Sequence, residues 1–144
     1  MQKMASNLKI FFLSLLVVFA AQSDVADASS TATKWQGTDE SAVRLIAGPN
    51  DKARPGRVWL GVQIKLGPGW KTYWRYPGES GAPPLFNWEY SENLAETKIH
   101  WPAPRRFEAF GYDSFGYHKQ VVIPILLTPM IKNQPITARL ELNY

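Results

Sequence analysis

Residues 57–66 read RVWLGVQIKL, and apolar side chains alternate with other residues along the whole stretch. Successive side chains of a strand point to opposite sides, so one face of this stretch carries only branched aliphatic residues: Val58, Leu60, Val62, Ile64 and Leu66. A period of two is typical of an antiparallel strand that buries one face in a core. The Gly-Pro-Gly at 67–69 predicts a turn directly after it, because proline fixes φ and glycine tolerates positive φ.

Similar strand signals recur on both sides of this stretch. Six further segments are rich in β-branched, aliphatic or aromatic residues: 42–47, 70–76, 86–90, 97–101, 121–127 and 136–142. Pro124 lies inside one of them, which predicts that this strand is an edge strand or carries a bulge. The segments between them, 48–55, 77–84 and 102–116, are predicted loops.

The number and spacing of these segments predict the fold class. No stretch after residue 29 sustains the 3.6-residue period of a helix, and 91–96 would form barely one turn. Short strands separated by turn signals every ~8–12 residues are typical of a sandwich. The sequence therefore predicts an all-β, immunoglobulin-like antiparallel β-sandwich, with a small barrel as the alternative architecture.

The first residues have the pattern of a targeting segment. Lys3 and Lys9 precede an unbroken apolar run at 10–21, which is shorter than the about 20 residues that a membrane-spanning helix needs. Ala26-Asp27-Ala28 then supplies a small-x-small cleavage pattern. We therefore predict a signal peptide at 1–28, a single domain at 29–144 and export to the periplasm of a bacterium. An uncleaved membrane anchor is the alternative.

Cysteine content and charge exclude several functions. The 144 residues contain no cysteine, so this chain cannot supply a disulfide, a thiolate nucleophile or a zinc-thiolate site. The net charge is +4, but the longest basic run is the pair Arg105 and Arg106, with no basic tail or helical stripe. This pattern predicts no nucleic-acid partner. No cofactor is expected either.

Few residues are candidates for catalysis or metal binding. His100 and His118 are the only histidines, and they lack the close spacing of metal motifs. Asp113 and Ser114 lie near His118 in sequence, but no Gly-x-Ser-x-Gly elbow accompanies them. Three glutamates, the residue type that serves as acid and base in pairs, lie in a loop-rich stretch: Glu79, Glu89 and Glu92. The sequence predicts no catalytic, cofactor-binding or metal-binding residue.

Aromatic residues are more informative, because five of them crowd one glycine-bearing segment: Phe107, Phe110, Tyr112, Phe115 and Tyr117. Core packing accounts for the six tryptophans, all of which follow residue 29. The crowded segment has two interpretations. It either packs on the domain or forms an exposed surface that binds a sugar or a protein or covers a reactive group.

Three blocks of sequence carry a specific resemblance: LGPGWKTYWRYPGESGAPPLFNW (66–88), IHWPAPRRF (99–107) and FGYDSFGYHKQVVIPILLTP (110–129). Over roughly 42–144 the chain resembles the N-terminal periplasmic domain of DsbD-type thiol:disulfide interchange proteins. The resemblance implies an immunoglobulin-like domain that takes electrons from a transmembrane redox domain and passes them to periplasmic thioredoxin-like proteins. Protein-disulfide reduction and cytochrome c biogenesis are the processes implied, and membrane contact comes only through the partner.

The chain departs from that family in one respect. The family uses a cysteine pair just after a strand that ends in tyrosine, and LELNY at 140–144 resembles this strand. Exchange requires attack by a thiolate, which this chain lacks. The expectation is a domain truncated before the cysteine motif, without its last strand or strands, and inactive alone. The alternative function is a cysteine-free exported binding module that holds a protein or sugar with its aromatic loop.

The resemblance also implies a cap. Family members shield the cysteine pair with an aromatic loop, and Phe110, Gly111 and Tyr112 occupy the matching position in this sequence. A cap of this kind limits the access of solvent and oxidants until a partner docks. The competing interpretation is that these aromatics are packed against the domain.

Overall fold

The computed structural model describes residues 31–50 and 56–144. The signal peptide predicted at 1–28 lies outside the described residues. The described chain forms ten strands: β1 Gln36–Gly37, β2 Ser41–Asn50, β3 Val58–Leu66, β4 Lys71–Gly78, β5 Leu85–Asn87, β6 Leu94–Ile99, β7 Arg105–Ala109, β8 Tyr112–His118, β9 Gln120–Pro129 and β10 Glu141–Asn143. No helix in these two ranges has the length and apolar character needed to cross a membrane.

All strand pairs are antiparallel and form three sheets. The largest sheet has the order β1-β2-β3-β9-β6, the second has the order β4-β8-β7, and β10 pairs with β5. Apolar side chains of the first sheet pack with Tyr117 of the second and with Phe86 and Leu142 of the third. The protein is therefore an all-β, immunoglobulin-like sandwich, which confirms the predicted fold class.

Strands β3 and β9 form the centre of the core. Val62, Ile64, Ile123 and Ile125 have no exposed surface, and the register places Val62 opposite Ile123. The face predicted from the alternation of β3 is the buried face. On the other face Gln63 is also buried, and its Oε1 atom accepts a hydrogen bond of 2.7 Å from Arg44 Nε.

The prediction for Pro124 is wrong. Strand β9 is central, with β3 on one side and β6 on the other, and Pro124 is opposite Gly61 without a register shift. The backbone N–H of His100 donates to the Pro124 carbonyl at 2.8 Å, so the polar backbone atoms of Pro124 face the β6 side. Strand β6 ends at Ile99. The missing proline N–H therefore falls just beyond the end of the neighbouring strand, where it costs no ladder bond.

The prediction of a loop at 102–116 is also wrong. Most of this segment forms the hairpin of β7 and β8, with register from Arg105 opposite Gly116 to Ala109 opposite Tyr112. The strand predicted at 136–142 is shorter than expected: only Glu141–Asn143 is a strand, and Thr137 forms an isolated bridge with Glu92. The alternating apolar side chains of that segment nevertheless pack against the core.

Candidate functional site

The β7–β8 hairpin ends in a two-residue turn made by Phe110 and Gly111. Their φ angles are 55° and 82°. Positive φ at both central residues is the mark of a type I′ turn, which fits the twist of the two flanking strands. Glycine or asparagine usually occupies the first of these positions, because larger side chains rarely adopt positive φ. Phenylalanine at Phe110 is therefore an unfavourable choice for folding.

The side chains at this tip face solvent. Phe110 is 90% exposed and Tyr112 is 53% exposed, although both are large and partly or wholly apolar. Phe110 thus makes little contribution to core burial while holding a strained backbone conformation. Strained residues of this kind cluster at functional sites. Phe110 and Tyr112 are therefore exposed and not packed against the domain.

The base of the hairpin is held by polar contacts. Arg106 donates two hydrogen bonds to the Asp113 carboxylate, from Nε at 2.9 Å and from Nη2 at 2.6 Å. This bidentate geometry fixes the relative position of the two strands, although both side chains are exposed and such pairs contribute only about 0–1 kcal/mol. Ser114 is fully buried and its Oγ lies 2.9 Å from the Oγ of Ser80.

The segment that contains Ser80 covers the part of the three-stranded sheet around Ser114 and Tyr73. Gly78 is opposite Ser114, and a Cβ atom at Gly78 would lie only 2.3 Å from the Asp113 carbonyl oxygen. A Cβ at Gly81 would lie 2.2 Å from the ring of Tyr73. Further along, Leu85 pairs with Asn143 of β10. Residues 78–87 therefore contact both the hairpin and the last strand.

The other candidate residues are separated. His100 stacks on Trp59 of the five-stranded sheet with ring centroids 4.9 Å apart, whereas His118 lies in the three-stranded sheet. Ser114 bonds to Ser80 and Asp113 to Arg106, so neither forms a hydrogen bond with His118 in the described structure. Among residues 31–50 and 56–144, no three His, Asp or Glu side chains come together in a way that could hold a metal ion.

The predicted glutamates do not form an acid–base pair. Glu92 forms an ion pair with Arg139 at 3.5 Å. The backbone N–H of Glu79 donates to the Asp113 carbonyl at 3.2 Å, and that of Glu89 to the Asn87 side chain at 3.0 Å. Glu89 and Glu92 thus belong to the β5–β6 region, and Glu79 to the base of the hairpin.

Two titratable groups near the hairpin have shifted pKa values. Burial raises the pKa of Tyr117 to about 12, against the opposing effect of Arg75, and its hydroxyl donates to the Pro102 carbonyl at 2.8 Å. Tyr117 is thus a neutral hydrogen-bond donor within the core. Burial lowers the pKa of His118, and the positive charges of Lys71 and Arg105 lower it further.

The sequence did not reveal one cluster next to the hairpin. Phe107 contacts His118, Lys71 and Tyr73, which come from β8 and β4. These residues are separated by up to 47 positions along the chain, from Lys71 to His118, and only the register of the three strands brings them together. The single local signal is the two-residue spacing within each strand, which places Arg105 with Phe107 and Lys71 with Tyr73 on one face.

Fold and hairpin together define a class: an immunoglobulin-like sandwich domain that presents an aromatic hairpin tip. The family model described as thiol:disulfide interchange protein DsbD, N-terminal, matches residues 42–144. The chain belongs to this family, as the resemblance of the three sequence blocks implied. The matched residues include the whole β7–β8 hairpin.

A solved structure agrees with this assignment. The crystal structure of the N-terminal periplasmic domain of ScsB from Proteus mirabilis matches with a TM-score of 0.63 and 35% sequence identity. The match covers 79% of this chain and 45% of that one, so this chain spans less than half of the ScsB domain. No curated protein sequence matches.

Proposed function

We propose that this domain serves thiol–disulfide exchange in the periplasm and that Phe110, Gly111 and Tyr112 form its cap. The observation that carries the proposal is Phe110, which is 90% exposed at a positive-φ position of a hairpin tip. Family membership supports the exchange function, and the ScsB domain that matches is a periplasmic one. The expected partners are a transmembrane redox domain and periplasmic thioredoxin-like proteins.

The hairpin suits a cap because its base is fixed and its tip is free. The Arg106–Asp113 pair and the Ser80–Ser114 contact hold the base, while a Cβ atom at Gly111 would have no neighbour within 4 Å. A phenyl ring on such a tip can cover a cysteine pair and withdraw when a partner docks. It can also insert into the partner, since aromatic side chains are typical anchors of protein interfaces.

This chain does not carry the exchange chemistry itself. Exchange proceeds by thiolate attack on a disulfide sulfur, and the 144 residues contain no cysteine. We infer that the domain contributes binding and shielding, and that the thiols that exchange electrons are not among these 144 residues. The 144-residue chain alone is expected to leave a disulfide substrate oxidised.

A binding experiment tests the cap. The chain is titrated with a thioredoxin-like periplasmic protein from the same genome, and Phe110→Ala is compared with Tyr90→Ala, which removes an aromatic side chain that is 66% exposed outside the hairpin. Loss of an interface anchor costs about 2 kcal/mol, so Phe110→Ala is expected to weaken binding by about 30-fold. Equal affinities for the two variants would show that the tip is not the contact.

The exposed tip also supports the second candidate function. Tyr112 lies directly opposite Ala109 at the end of the hairpin and, with Phe110, offers two aromatic rings to solvent. A cysteine-free exported module that holds a protein or sugar would use the same surface. Binding of oligosaccharides that is lost in Tyr112→Ala, together with no binding of thioredoxin-like proteins, would favour this function over the cap.

A further inference from the structure

The outer face of the three-stranded sheet carries a compact cluster of cations on an aromatic base, which we call the basic-aromatic face: Lys71, Tyr73, Arg105, Phe107 and His118. Lys71 is opposite His118 in the β4–β8 register. Arg105 is opposite Gly116, two residues before His118. Directly opposed residues and residues two apart share one side of a sheet. The register therefore places all five side chains on the same side.

Contacts between side chains confirm this arrangement for Lys71, Tyr73, Phe107 and His118. Lys71 Nζ lies 4.5 Å from the centre of the Phe107 ring. The Phe107 and His118 ring centres are 5.2 Å apart with planes at 82°, and the Phe107 and Tyr73 centres are 5.9 Å apart. Lys71 and His118 thus both pack against the ring of Phe107.

Among the described residues, no carboxylate forms an ion pair with the cations of this face. The ion pairs in the described ranges join Arg106 to Asp113 and Arg139 to Glu92, so neither Lys71 nor Arg105 has a carboxylate within 4.0 Å there. Lys71 above the Phe107 ring and Arg105 on the same side of the sheet create a local positive potential that attracts carboxylates. The rim of the face is fixed by three paired strands, so a ligand would meet it largely pre-formed.

We infer that the basic-aromatic face binds an acidic segment of a protein partner, with Lys71 and Arg105 contacting its carboxylates and Phe107 contacting its apolar atoms. This inference rests on the proposed function in one respect: the partner that contacts Phe110 is taken to be the same protein that contacts the basic-aromatic face. Phe107 and Phe110 belong to the same hairpin, so one partner can contact both. An anionic membrane is a poorer occupant, because recruitment to lipid uses about 4–8 clustered basic residues and this face has two.

The test uses the isotope-labelled full chain and a soluble peptide of alternating glutamate and glycine, observed by NMR. A matched peptide of alternating glutamine and glycine has no charge. The glutamate peptide is expected to shift the resonances of Lys71, Phe107 and His118, and high salt is expected to reverse the shifts because it screens exposed charges. The glutamine peptide is expected to leave these resonances unchanged.

Matched variants locate the site. Lys71→Gln with Arg105→Gln is expected to weaken binding of the glutamate peptide by about fivefold or more, since two exposed charge contacts are lost. Lys65→Gln with Lys98→Gln removes the same charge from exposed positions of the five-stranded sheet and is expected to retain binding. Equal weakening by both pairs, or no weakening by the first, would overturn the inference.

Two further measurements separate the alternatives. Vesicles of phosphatidylglycerol and phosphatidylcholine in equal parts are expected not to bind the chain, and binding of vesicles without binding of the glutamate peptide would replace a protein partner by a membrane. Phe110→Ala is expected to retain peptide binding. If Phe110→Ala and Tyr90→Ala bind the thioredoxin-like protein equally and the glutamate peptide still binds, the proposed function alone is rejected. If Phe110→Ala weakens binding of that protein and the glutamate peptide does not bind, the inference about the basic-aromatic face alone is rejected.

Discussion

Phe110 shows how a single residue can oppose folding. Its backbone has φ 55°, and its ring is 90% exposed. A left-handed conformation costs roughly 1–2 kcal/mol for a residue with a Cβ atom. The family resemblance identified this position from sequence, but its turn conformation was not predicted, because Phe-Gly is not a typical hairpin turn sequence. The positive φ of Phe110 arises because the register of β7 and β8 leaves only Phe110 and Gly111 to form the turn.

Replacing Phe110 by asparagine is expected to stabilise the domain and impair partner binding. Asparagine tolerates positive φ and forms the favoured Asn-Gly turn, so the free energy of unfolding should rise by about 1 kcal/mol. Thermal unfolding should then show a midpoint about 3–5 °C higher. A lower midpoint for Phe110→Asn than for the parent chain would contradict the strain at this position.

His118 is expected to make stability depend on pH. Its pKa is lowered in the folded domain by burial and by Lys71 and Arg105, so the unfolded chain binds more protons near and below the ordinary value of 6.5. Stability should be fully present above that value and decrease as pH falls through it. Thermal midpoints measured from about pH 7.5 to about pH 5 should fall less in His118→Gln.

His100→Gln is the control for this experiment, because His100 packs on Trp59 in the other sheet. If His118→Gln and the parent lose the same stability over this range, the contribution assigned to His118 is absent.

At the scale of elements, alternation predicted the strands of the core and failed for the hairpin. The alternating residues Val62, Ile64 and Leu66 of β3 are buried, and β9 buries Val121, Ile123, Ile125 and Leu127 in the same way. In β8 the buried residues include Ser114, which is covered by a segment more than thirty residues earlier in the chain. No local pattern signals burial of a serine by a distant segment, so β7 and β8 were predicted as a loop.

Gly116 holds the hairpin close to β4. A Cβ atom there would lie 2.1 Å from the Thr72 carbonyl oxygen, so Gly116→Ala must push the strands apart and should cost about 3 kcal/mol of unfolding free energy. Gly69→Ala is the control: Gly69 has φ 80° but open space around it, and the expected cost is about 1 kcal/mol. Chemical denaturation measures both costs, and equal values would contradict the close approach.

For the whole molecule, stability depends on the contact between β3 and β9 at the centre of the core. Ile123 has no exposed surface and is opposite Val62, so Ile123→Ala should cost about 3–4 kcal/mol, a large part of the about 5–15 kcal/mol typical of a domain. Val122, its neighbour on the other face, is 38% exposed, and Val122→Ala should cost under about 1 kcal/mol. Similar losses of unfolding free energy for the two variants, measured by urea unfolding, would show that the contact between β3 and β9 does not dominate stability.

The fold class and the family could be predicted from the sequence, whereas the basic-aromatic face could not. Composition and alternation were sufficient for the fold class, and three blocks of sequence were sufficient for the family. The basic-aromatic face required the structure, because its five residues come from three strands and none is unusual in its local context. Residues that act together across a sheet share a register, which is a property of the folded chain.

The segment 78–87 links the hairpin to the last strand. Ser80 contacts the hairpin base at Ser114, and Leu85 is paired with Asn143 of the last strand. This segment therefore connects the hairpin to β10. If binding of a partner at Phe110 also orders this segment, amide hydrogen exchange at Asn143 should become slower when the partner binds.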